Sequence, residues 1–290
     1  MVKGSFFGNE RALLTVMVQA DTPRRIQELM DCSALEGAEA FGIQFERLRP
    51  EFRTGEVYRQ LFARTDGRPV YVTNYRSAQN RGKTDDMLAR ELLELAGCGA
   101  DLCDVMGDYF DRRPDEAAVD RAAIHRQLRL IEALHERGAK VLMSSHIHKF
   151  TPAQRVLEIA LEHQKRGADI SKIVTGAQTM DEQVENLKII LMLKRELQIP
   201  FLFLCGGQCG ILRRIGGELG CCMYLCVHEH DGFATPVQPL LRDVKTMREL
   251  LGRPAYEIQQ QDCPCNGSGS GNRTGGCEDA GVGRRGCGTA

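Results

Sequence analysis

The chain has 290 residues, of which 42% are hydrophobic, so it can form one large domain or two small ones with a sizeable core. Its formal net charge of -1 gives no basic excess for binding nucleic acid, and no apolar run approaches the roughly 20 residues that cross a membrane. The first ten residues lack the apolar core of a signal peptide. We therefore expect a cytoplasmic protein whose partner is a small-molecule substrate, with no nucleic acid and no membrane.

Apolar runs typical of β-strands recur every few tens of residues. There are eight, at residues 13–18, 41–45, 70–75, 102–106, 141–145, 170–175, 201–205 and 221–227. They are nearly continuous rather than alternating, as expected for parallel strands that are covered by helices. Helical patterns lie between them, and Thr22-Pro23 and Thr151-Pro152 each have the threonine and proline typical of a helix start.

Eight strand–helix units predict an α/β protein with a closed (β/α)8 TIM barrel over residues 1–253. An open doubly wound sheet is the alternative. That fold usually has a glycine-rich phosphate turn after its first strand, and residues 18–21 contain no glycine.

The composition changes after about residue 253, where a glycine-rich and cysteine-rich segment shows no apolar period. We predict a flexible, disordered tail over residues 254–290. Its four cysteines, Cys263, Cys265, Cys277 and Cys287, could bind a metal, but their spacing lacks the paired Cys-x2-Cys knuckles of zinc sites. The other eight are expected to be small buried hydrophobic residues: Cys32, Cys98, Cys103, Cys205, Cys209, Cys221, Cys222 and Cys226.

Residues 140–178 read as strand, loop, helix and strand. His146 ends the first of these strands, and Lys172 lies inside the second. If the two strands are parallel neighbours, an imidazole and an amine converge at one end of the sheet. That pair suits carbonyl chemistry, in which the amine forms a Schiff base and the imidazole transfers protons.

Other candidates lie at the expected carboxyl ends of strands, where barrel enzymes carry their sites. They are Gln44, Glu46, Arg76, Asp104, Met106, Arg214 and Gln238. Arg214 follows a glycine-rich turn and could bind an anionic substrate, or could be an exposed helix charge. Lys172 could instead point outward or pair with an acid, and His148 with Lys149 could be the functional pair.

Several of these segments, in this order, resemble those of type I 3-dehydroquinate dehydratase. Residues 141–152 resemble the segment around the family's catalytic histidine, and residues 167–173 the one around its Schiff-base lysine. Residues 206–218 resemble the segment of a carboxylate-binding arginine, and residues 75–77 the arginine motif of the third strand. Residues 234–238 resemble a closing loop whose glutamine contacts the substrate. The resemblance covers roughly residues 12–251.

The resemblance implies that Lys172 attacks the ketone of 3-dehydroquinate and forms an imine. His146 would then remove the neighbouring proton, protonate the leaving hydroxyl and help the carbinolamine steps. Arg76 and Arg214 would bind the substrate carboxylate, and Gln238 would contact the substrate from the closing loop. The family needs no metal and no organic cofactor, so we expect none, and a homodimer is left open.

This sequence departs from the family at several positions. The usual Glu-x-Arg at the end of strand two reads Gln44 and Glu46 here. The acid that orients the family's histidine aligns with Asn80, an acid of strand four aligns near Met106, and a serine of the closing loop aligns with Ala234. We therefore count Gln44, Glu46, Asn80 and Ala234 among the substrate-binding positions, with an altered substrate or a slower reaction as the consequence.

Three functions compete. The first is a dehydratase that acts through a lysine imine on 3-dehydroquinate, or on a closely related cyclic hydroxy-keto acid, and gives 3-dehydroshikimate. The second is another imine-forming lyase, similar to an aldolase. The third is a sensor that binds quinate-like ligands without turnover. The presence of both Lys172 and His146 argues against a sensor, whereas the changed positions favour a sensor or a new substrate.

Overall fold

The computed structural model describes residues 3–208 and 210–251. Within these residues, the sheet has eight strands: β1 (Leu13–Val18), β2 (Ala40–Gln44), β3 (Val70–Thr73), β4 (Leu102–Met106), β5 (Lys140–His146), β6 (Ile170–Ala177), β7 (Phe201–Gly207) and β8 (Met223–Cys226). Each strand lies at one of the predicted apolar runs, with small differences at the ends. The tail predicted over residues 254–290, with its cysteines, lies outside the described residues.

The described α-helices follow the strands in alternation: α1 (Pro23–Glu36), α2 (Gly55–Ala63), α3 (Asp85–Gly97), α4 (Arg121–Glu136), α5 (Ala153–Lys165), α6 (Met180–Glu196), α7 (Leu212–Leu219) and α8 (Leu241–Leu251). Helix α1 begins as its sequence predicts, because the Thr22 hydroxyl accepts the backbone N–H of Arg25 and Pro23 is the first helical residue. Helix α4 begins only at Arg121, after Asp120 as its N-cap, which leaves residues 107–120 as a long loop after β4.

Every strand pair in the sheet is parallel, and the strand order is β7-β6-β5-β4-β3-β2-β1-β8. The backbone N–H of Cys222, just before β8, donates to the carbonyl of Phe201 in β7 at 2.9 Å. This bond brings the two ends of the sheet together, so the barrel is nearly closed. The predicted (β/α)8 TIM barrel is therefore confirmed, and the open doubly wound alternative is wrong.

The register of neighbouring strands determines which side chains share the barrel interior. Lys172 in β6 pairs with Ser144 in β5, and Ser144 pairs with Met106 in β4. Because side chains alternate along a strand, Asp104 lies on the same face as Met106. The amine of Lys172 is buried on this face, which resolves the question of whether it points outward.

Four of the eight cysteines expected in the core are buried. Cys103, Cys205, Cys221 and Cys226 are buried, Cys98 and Cys222 are half-buried, and Cys209 lies outside the described residues. For Cys32 the prediction is wrong. Helix α1 packs Ile26, Leu29 and Met30 against the barrel, and this leaves Cys32 exposed on the opposite side.

Among the helices described, none is long and apolar enough to span a membrane.

Candidate active site

A cavity of about 910 Å³ opens where the strands end. Of the predicted catalytic and substrate-binding residues, six line it: Lys172, His146, Arg76, Gln238, Gln44 and Glu46. Three others, Asn80, Arg214 and Ala234, do not contribute to its wall. Because β5 and β6 are parallel neighbours, Lys172 and His146 reach the same cavity.

The amine of Lys172 lies inside a group of four side chains that we call the lysine cluster: Lys172, Asp104, Tyr71 and Tyr75. Its Nζ lies 2.7 Å from the hydroxyl of Tyr75, 3.0 Å from that of Tyr71 and 3.2 Å from Asp104 Oδ2. Both tyrosine hydroxyls also donate to Asp104 Oδ2, and Ser144 donates to Oδ1. The sequence analysis noted Asp104 as a strand-end residue but missed both tyrosines.

Asp104 is ionised in this cluster. Burial opposes its charge, but the Lys172 ammonium, the charge of His146 and the hydroxyl of Ser144 together hold the pKa of Asp104 below its ordinary value. The two phenols respond in the opposite way. Burial and the neighbouring Asp104 carboxylate raise the pKa values of Tyr71 and Tyr75 well above the ordinary value, so both hydroxyls keep their protons.

The imidazole of His146 is held by a carboxylate. Nδ1 of His146 lies 2.9 Å from Glu116 Oε2, and the same oxygen accepts the backbone N–H of His146 at 2.7 Å. This arrangement leaves Nε2 as the ring nitrogen without the carboxylate. Burial opposes the charge of Glu116, but the hydrogen bond and charge of His146 lower its pKa, so Glu116 is an anion. Sequence reasoning missed Glu116.

The loop after β4 carries Glu116 in an unusual backbone conformation. Its φ of 47° lies in the left-handed region, which non-glycine residues adopt at some cost and often at functional sites. The Ser145 hydroxyl donates to the carbonyl of Glu116 at 2.7 Å, and Arg166 donates to Ala118 at 2.8 Å. A side chain at Gly107 would meet the Glu116 carbonyl at 2.4 Å, so only glycine lets this loop pass so close to the strand end.

The loop after β5 brings a second histidine to the cavity. The ring of His148 stacks on that of His146 with centroids 5.9 Å apart, and burial and the charge of His146 lower the pKa of His148. Glycine at position 176 allows this loop to cross β6, because a Cβ there would lie 2.7 Å from the His148 carbonyl. Lys149 is exposed and does not line the cavity, so the alternative pair His148 and Lys149 is not brought together there.

The arginine that faces the cavity from α7 is Arg213 rather than Arg214. Arg213 is buried, and its Nε donates to the carbonyl of Cys205 at 3.1 Å. No carboxylate among the described residues lies within ion-pair distance of it, and burial lowers its pKa. Arg214 is exposed and caps the carbonyl of Gly210. The sequence contains the adjacent pair, but nothing in it distinguishes which of the two faces inward.

Arg76 is already paired within the protein. Its Nε and Nη2 donate to the two oxygens of Asp85, both at 2.8 Å, and its Nη1 donates to Asp108 at 2.6 Å. Burial disfavours its charge, but the two carboxylates raise the pKa of Arg76 above its ordinary value. The guanidinium lies on the cavity wall, yet its charge is neutralised by these acids rather than offered to a ligand.

Of the remaining predicted positions, Glu46 and Gln238 lie on the cavity wall, and Ala234 lies outside it. The carboxyl of Glu46 is fully buried and accepts the Thr73 hydroxyl, and burial raises its pKa. Gln238 lies on the wall with its side-chain amide 2.9 Å from that of Gln19. The nearby Ala234 only donates its backbone N–H to Asp231.

Asn80 lies beneath the site rather than in it. Its amide donates to Asn74 and to the carbonyl of Tyr75, both at 2.8 Å, and its oxygen accepts Arg53. Asn80, which the resemblance placed among the substrate-binding positions, is thus an internal hydrogen-bonding residue, and the carboxylate that contacts His146 is that of Glu116.

No group of three or more histidine, cysteine, aspartate or glutamate side chains in residues 3–208 and 210–251 is arranged to hold a metal ion. The chemistry available to this cavity from the described residues is that of an amine, an imidazole, phenols and carboxylates.

Comparison with known proteins identifies the family. Residues 15–254 match the family model of type I 3-dehydroquinase. This chain belongs to the type I 3-dehydroquinase family.

The relatives are distant. A 3-dehydroquinate dehydratase of Alkaliphilus oremlandii (strain OhILAs) is 33% identical over 92 residues, which are 31% of this chain and 36% of that protein. One from Listeria monocytogenes serotype 4b (strain CLIP80459) is 30% identical over 156 residues, which are 52% of this chain and 56% of that protein. The chain thus matches between about a third and somewhat more than half the length of these curated relatives.

A solved structure from Geobacillus kaustophilus HTA426 has a similar fold. The crystal structure of that 3-dehydroquinate dehydratase superposes with a TM-score of 0.73 at 17% identity, over 84% of this chain and 93% of that one. At this identity the likeness concerns the fold alone, and the residues of the cavity must carry the functional argument.

Proposed function

We propose that this protein is a lyase that dehydrates 3-dehydroquinate, or a closely related cyclic hydroxy-keto acid, through an imine on Lys172. The observation that carries the proposal is the placement of a buried amine and a carboxylate-held imidazole on neighbouring strands of one cavity. The names of the distant relatives agree with this reaction, which gives 3-dehydroshikimate.

In the proposed reaction, Lys172 Nζ attacks the ketone carbon, and loss of water gives a protonated imine. The positive nitrogen withdraws electrons and acidifies the adjacent C–H. His146 removes that proton and returns it to the leaving hydroxyl. Glu116 keeps the imidazole in one orientation by binding Nδ1, so that Nε2 faces the substrate. Hydrolysis of the imine then restores Lys172.

The substrate carboxylate would bind to Arg213. A buried guanidinium without an internal acid binds an anion more strongly than one already neutralised, so Arg213 is a better candidate than Arg76. The cavity wall also carries further arginines that have no ion-pair partner among the described residues: Arg47, Arg112 and Arg113. Their charge favours an anionic substrate.

Arg76 is already paired with Asp85 and Asp108, and two phenols contact Lys172. These features support a second candidate substrate for the same imine reaction. The true substrate would then be another cyclic hydroxy-keto acid whose hydroxyl pattern differs from that of 3-dehydroquinate. Gln44 and Glu46, which replace the family's usual acid and arginine, are the positions that would select it.

Two measurements test the proposal. The purified protein is mixed with 3-dehydroquinate, and the conjugated absorbance of 3-dehydroshikimate is followed. A second sample of the same mixture is reduced with borohydride and digested, and the masses of its peptides are measured by mass spectrometry. We expect turnover and a substrate-sized adduct on Lys172, with quinate, which has no ketone, as the negative control. An adduct without turnover would favour a different substrate or lyase, and the absence of both would overturn the proposed function.

A further inference from the structure

Tyr75 connects the lysine cluster to the cavity. Its hydroxyl lies 2.7 Å from Lys172 Nζ and also donates to Asp104, while its ring packs edge-on against His146 with centroids 5.0 Å apart. Tyr71 makes the same two polar contacts but is completely buried and does not line the cavity. Among the described groups that contact Lys172, Tyr75 is therefore the one that can also reach a substrate oxygen.

Imine formation needs a proton path at this nitrogen. An ammonium paired with the ionised Asp104 has no lone pair with which to attack a carbonyl. Its proton must therefore move away before the attack, and a proton must come back when the hydroxyl of the carbinolamine leaves. Among the described hydrogen bonds, those of His146 go to Glu116, whereas the Tyr75 hydroxyl lies 2.7 Å from Lys172 Nζ and is placed to move the protons at this nitrogen.

We propose that Tyr75 relays these protons between Lys172, Asp104 and the substrate oxygen. The inference rests on the proposed function only in taking Lys172 as the imine-forming residue. In the first step, an N–H proton of Lys172 moves to the Tyr75 oxygen as the Tyr75 proton moves to Asp104. The products are a neutral amine, an unchanged phenol and a neutral carboxylic acid, so the buried ion pair becomes two neutral groups.

The later steps reverse this transfer. The amine attacks the ketone, and transfer of one N–H proton to the oxygen gives the neutral carbinolamine. As the C–O bond breaks, Tyr75 gives its proton to the departing hydroxyl and takes the stored proton of Asp104. Water leaves, the nitrogen lone pair forms the C=N bond, and the cationic imine faces the Asp104 carboxylate. Hydrolysis follows the same path backwards.

The electrostatics of the cluster suit a relay and oppose a simple phenolate base. Burial raises the pKa of Tyr75 well above its ordinary value, and the charge of Asp104 raises it further. A free phenolate is therefore costly here. A phenol that receives one proton while it gives another never carries that negative charge. Its contact with Lys172 is the side from which the proton comes, and its hydrogen bond to Asp104 is the side to which a proton goes.

The test uses acetylacetone, a diketone that forms a stable enaminone with a reactive amine. The rate of its attachment to Lys172 is followed by absorbance and by peptide mass in the wild type, Tyr75→Phe and Tyr71→Phe. We expect Tyr75→Phe to slow attachment by roughly 10²–10⁴-fold, the usual range for acid–base catalysis. Tyr71→Phe should slow it by about tenfold at most, the effect of one lost hydrogen bond, because Tyr75 still joins amine and cavity.

Comparison of the attachment rates in H₂O and D₂O distinguishes a lost proton transfer from a purely structural effect of the substitutions. The wild type and Tyr71→Phe should form the enaminone more slowly in D₂O, and Tyr75→Phe should lose most of that difference. Equal rates for the two variants, or a wild type that does not react at Lys172, would overturn the relay. Failure of the proposed function looks different: acetylacetone would attach to the wild type as expected while 3-dehydroquinate gave no product.

Discussion

The site has a strand part, made of residues in the barrel strands, and a loop part, made of residues in the segments that follow the strands. Lys172, Asp104 and Tyr71 are strand residues whose relative positions follow from the hydrogen-bonded register of β3, β4 and β6. Glu116 and Arg213 come from the loop after β4 and from the start of α7. The strand part is fixed by backbone pairing that the whole barrel shares, whereas the loop part depends on a few contacts that are specific to this chain.

The difference has a chemical counterpart. The strand part holds the groups that would form and break the imine, and the loop part holds those that would orient the imidazole and bind the substrate anion. Lys172 and His146 line the same cavity, as the resemblance leads one to expect, whereas the carboxylate that contacts His146 is Glu116 and Asn80 bonds within the protein. A barrel can therefore hold its reacting groups on strands while its loops supply the residues that support them.

Removal of the amine should have the largest effect. Lys172→Ala is expected to abolish both turnover and the borohydride adduct, since no other lysine of the described residues lines the cavity. The substitution leaves Asp104 buried without its partner, which can cost several kcal/mol of stability. The double variant Lys172→Met with Asp104→Asn removes both charges, and exposed Lys149→Ala is the control. An adduct that persists without Lys172 would contradict the strand part of the site.

His146→Ala should come next. Proton transfer is expected to slow kcat by roughly 10²–10⁴-fold, while some borohydride adduct still forms on Lys172 because the amine is intact. His148→Ala is the matched control, since its ring stacks on that of His146, whereas the hydrogen bond of Glu116 goes to His146. A larger loss of kcat in the His148 variant would show that the loop histidine is the acid–base group.

Sequence reasoning predicts the strand part well and the loop part poorly. Continuous apolar runs identify the strands, and parallel order brings His146 and Lys172 together. The inward-facing tyrosines were missed, although Tyr71 in β3 and Tyr75 two residues past its end have the even spacing that could have placed both beside Asp104. No periodicity indicates Glu116, because its position depends on a left-handed backbone and on contacts such as that with Ser145.

The two adjacent arginines of α7 allow a matched comparison of substitutions, because Arg213 is buried and Arg214 is exposed. Arg213→Ala is expected to raise KM by about 10–150-fold for an acidic substrate, because a hydrogen bond to a charged group contributes about 1.5–3 kcal/mol. Arg214→Ala removes the same charge from an exposed site and should leave KM nearly unchanged. If the Arg214 variant has the higher KM, the alignment with the family's carboxylate-binding arginine holds and the inward position of Arg213 does not matter for binding.

Glu116→Gln should lower kcat by about tenfold, the lower limit for the loss of a charged hydrogen bond, because the amide still accepts from His146 but lacks the negative charge. Asp115→Asn removes a neighbouring charge that pairs with Arg155 and serves as the control. Steady-state kinetics at several pH values above neutrality should show that higher pH does not restore the Glu116 variant. Equal loss in the two variants would point to a general effect on the loop.

The Glu116–His146 pair should also affect the pH dependence of stability. The folded protein lowers the pKa of Glu116, so this group stabilises the fold above its unfolded pKa, and the contribution is lost as the pH falls through the lower folded value. The melting temperatures of the wild type and Glu116→Gln should therefore differ at neutral pH and converge as the pH falls below about 4.3. Curves that stay parallel into acid would show that the charge of Glu116 is not coupled to folding.

Asn80→Ala should have the smallest effect on catalysis. Asn80 supports the carbonyl of Tyr75 and accepts Arg53 from below the cavity, so its loss leaves buried polar groups without partners. We expect the free energy of unfolding to fall by about 1–3 kcal/mol in urea titrations, with kcat and KM unchanged well below the melting temperature. Gln79→Ala, an exposed neighbour in the same short 3-10 helix, should change neither. A raised KM with unchanged stability would mean that Asn80 contacts the substrate, as the family resemblance implies, and does not act only as an internal support.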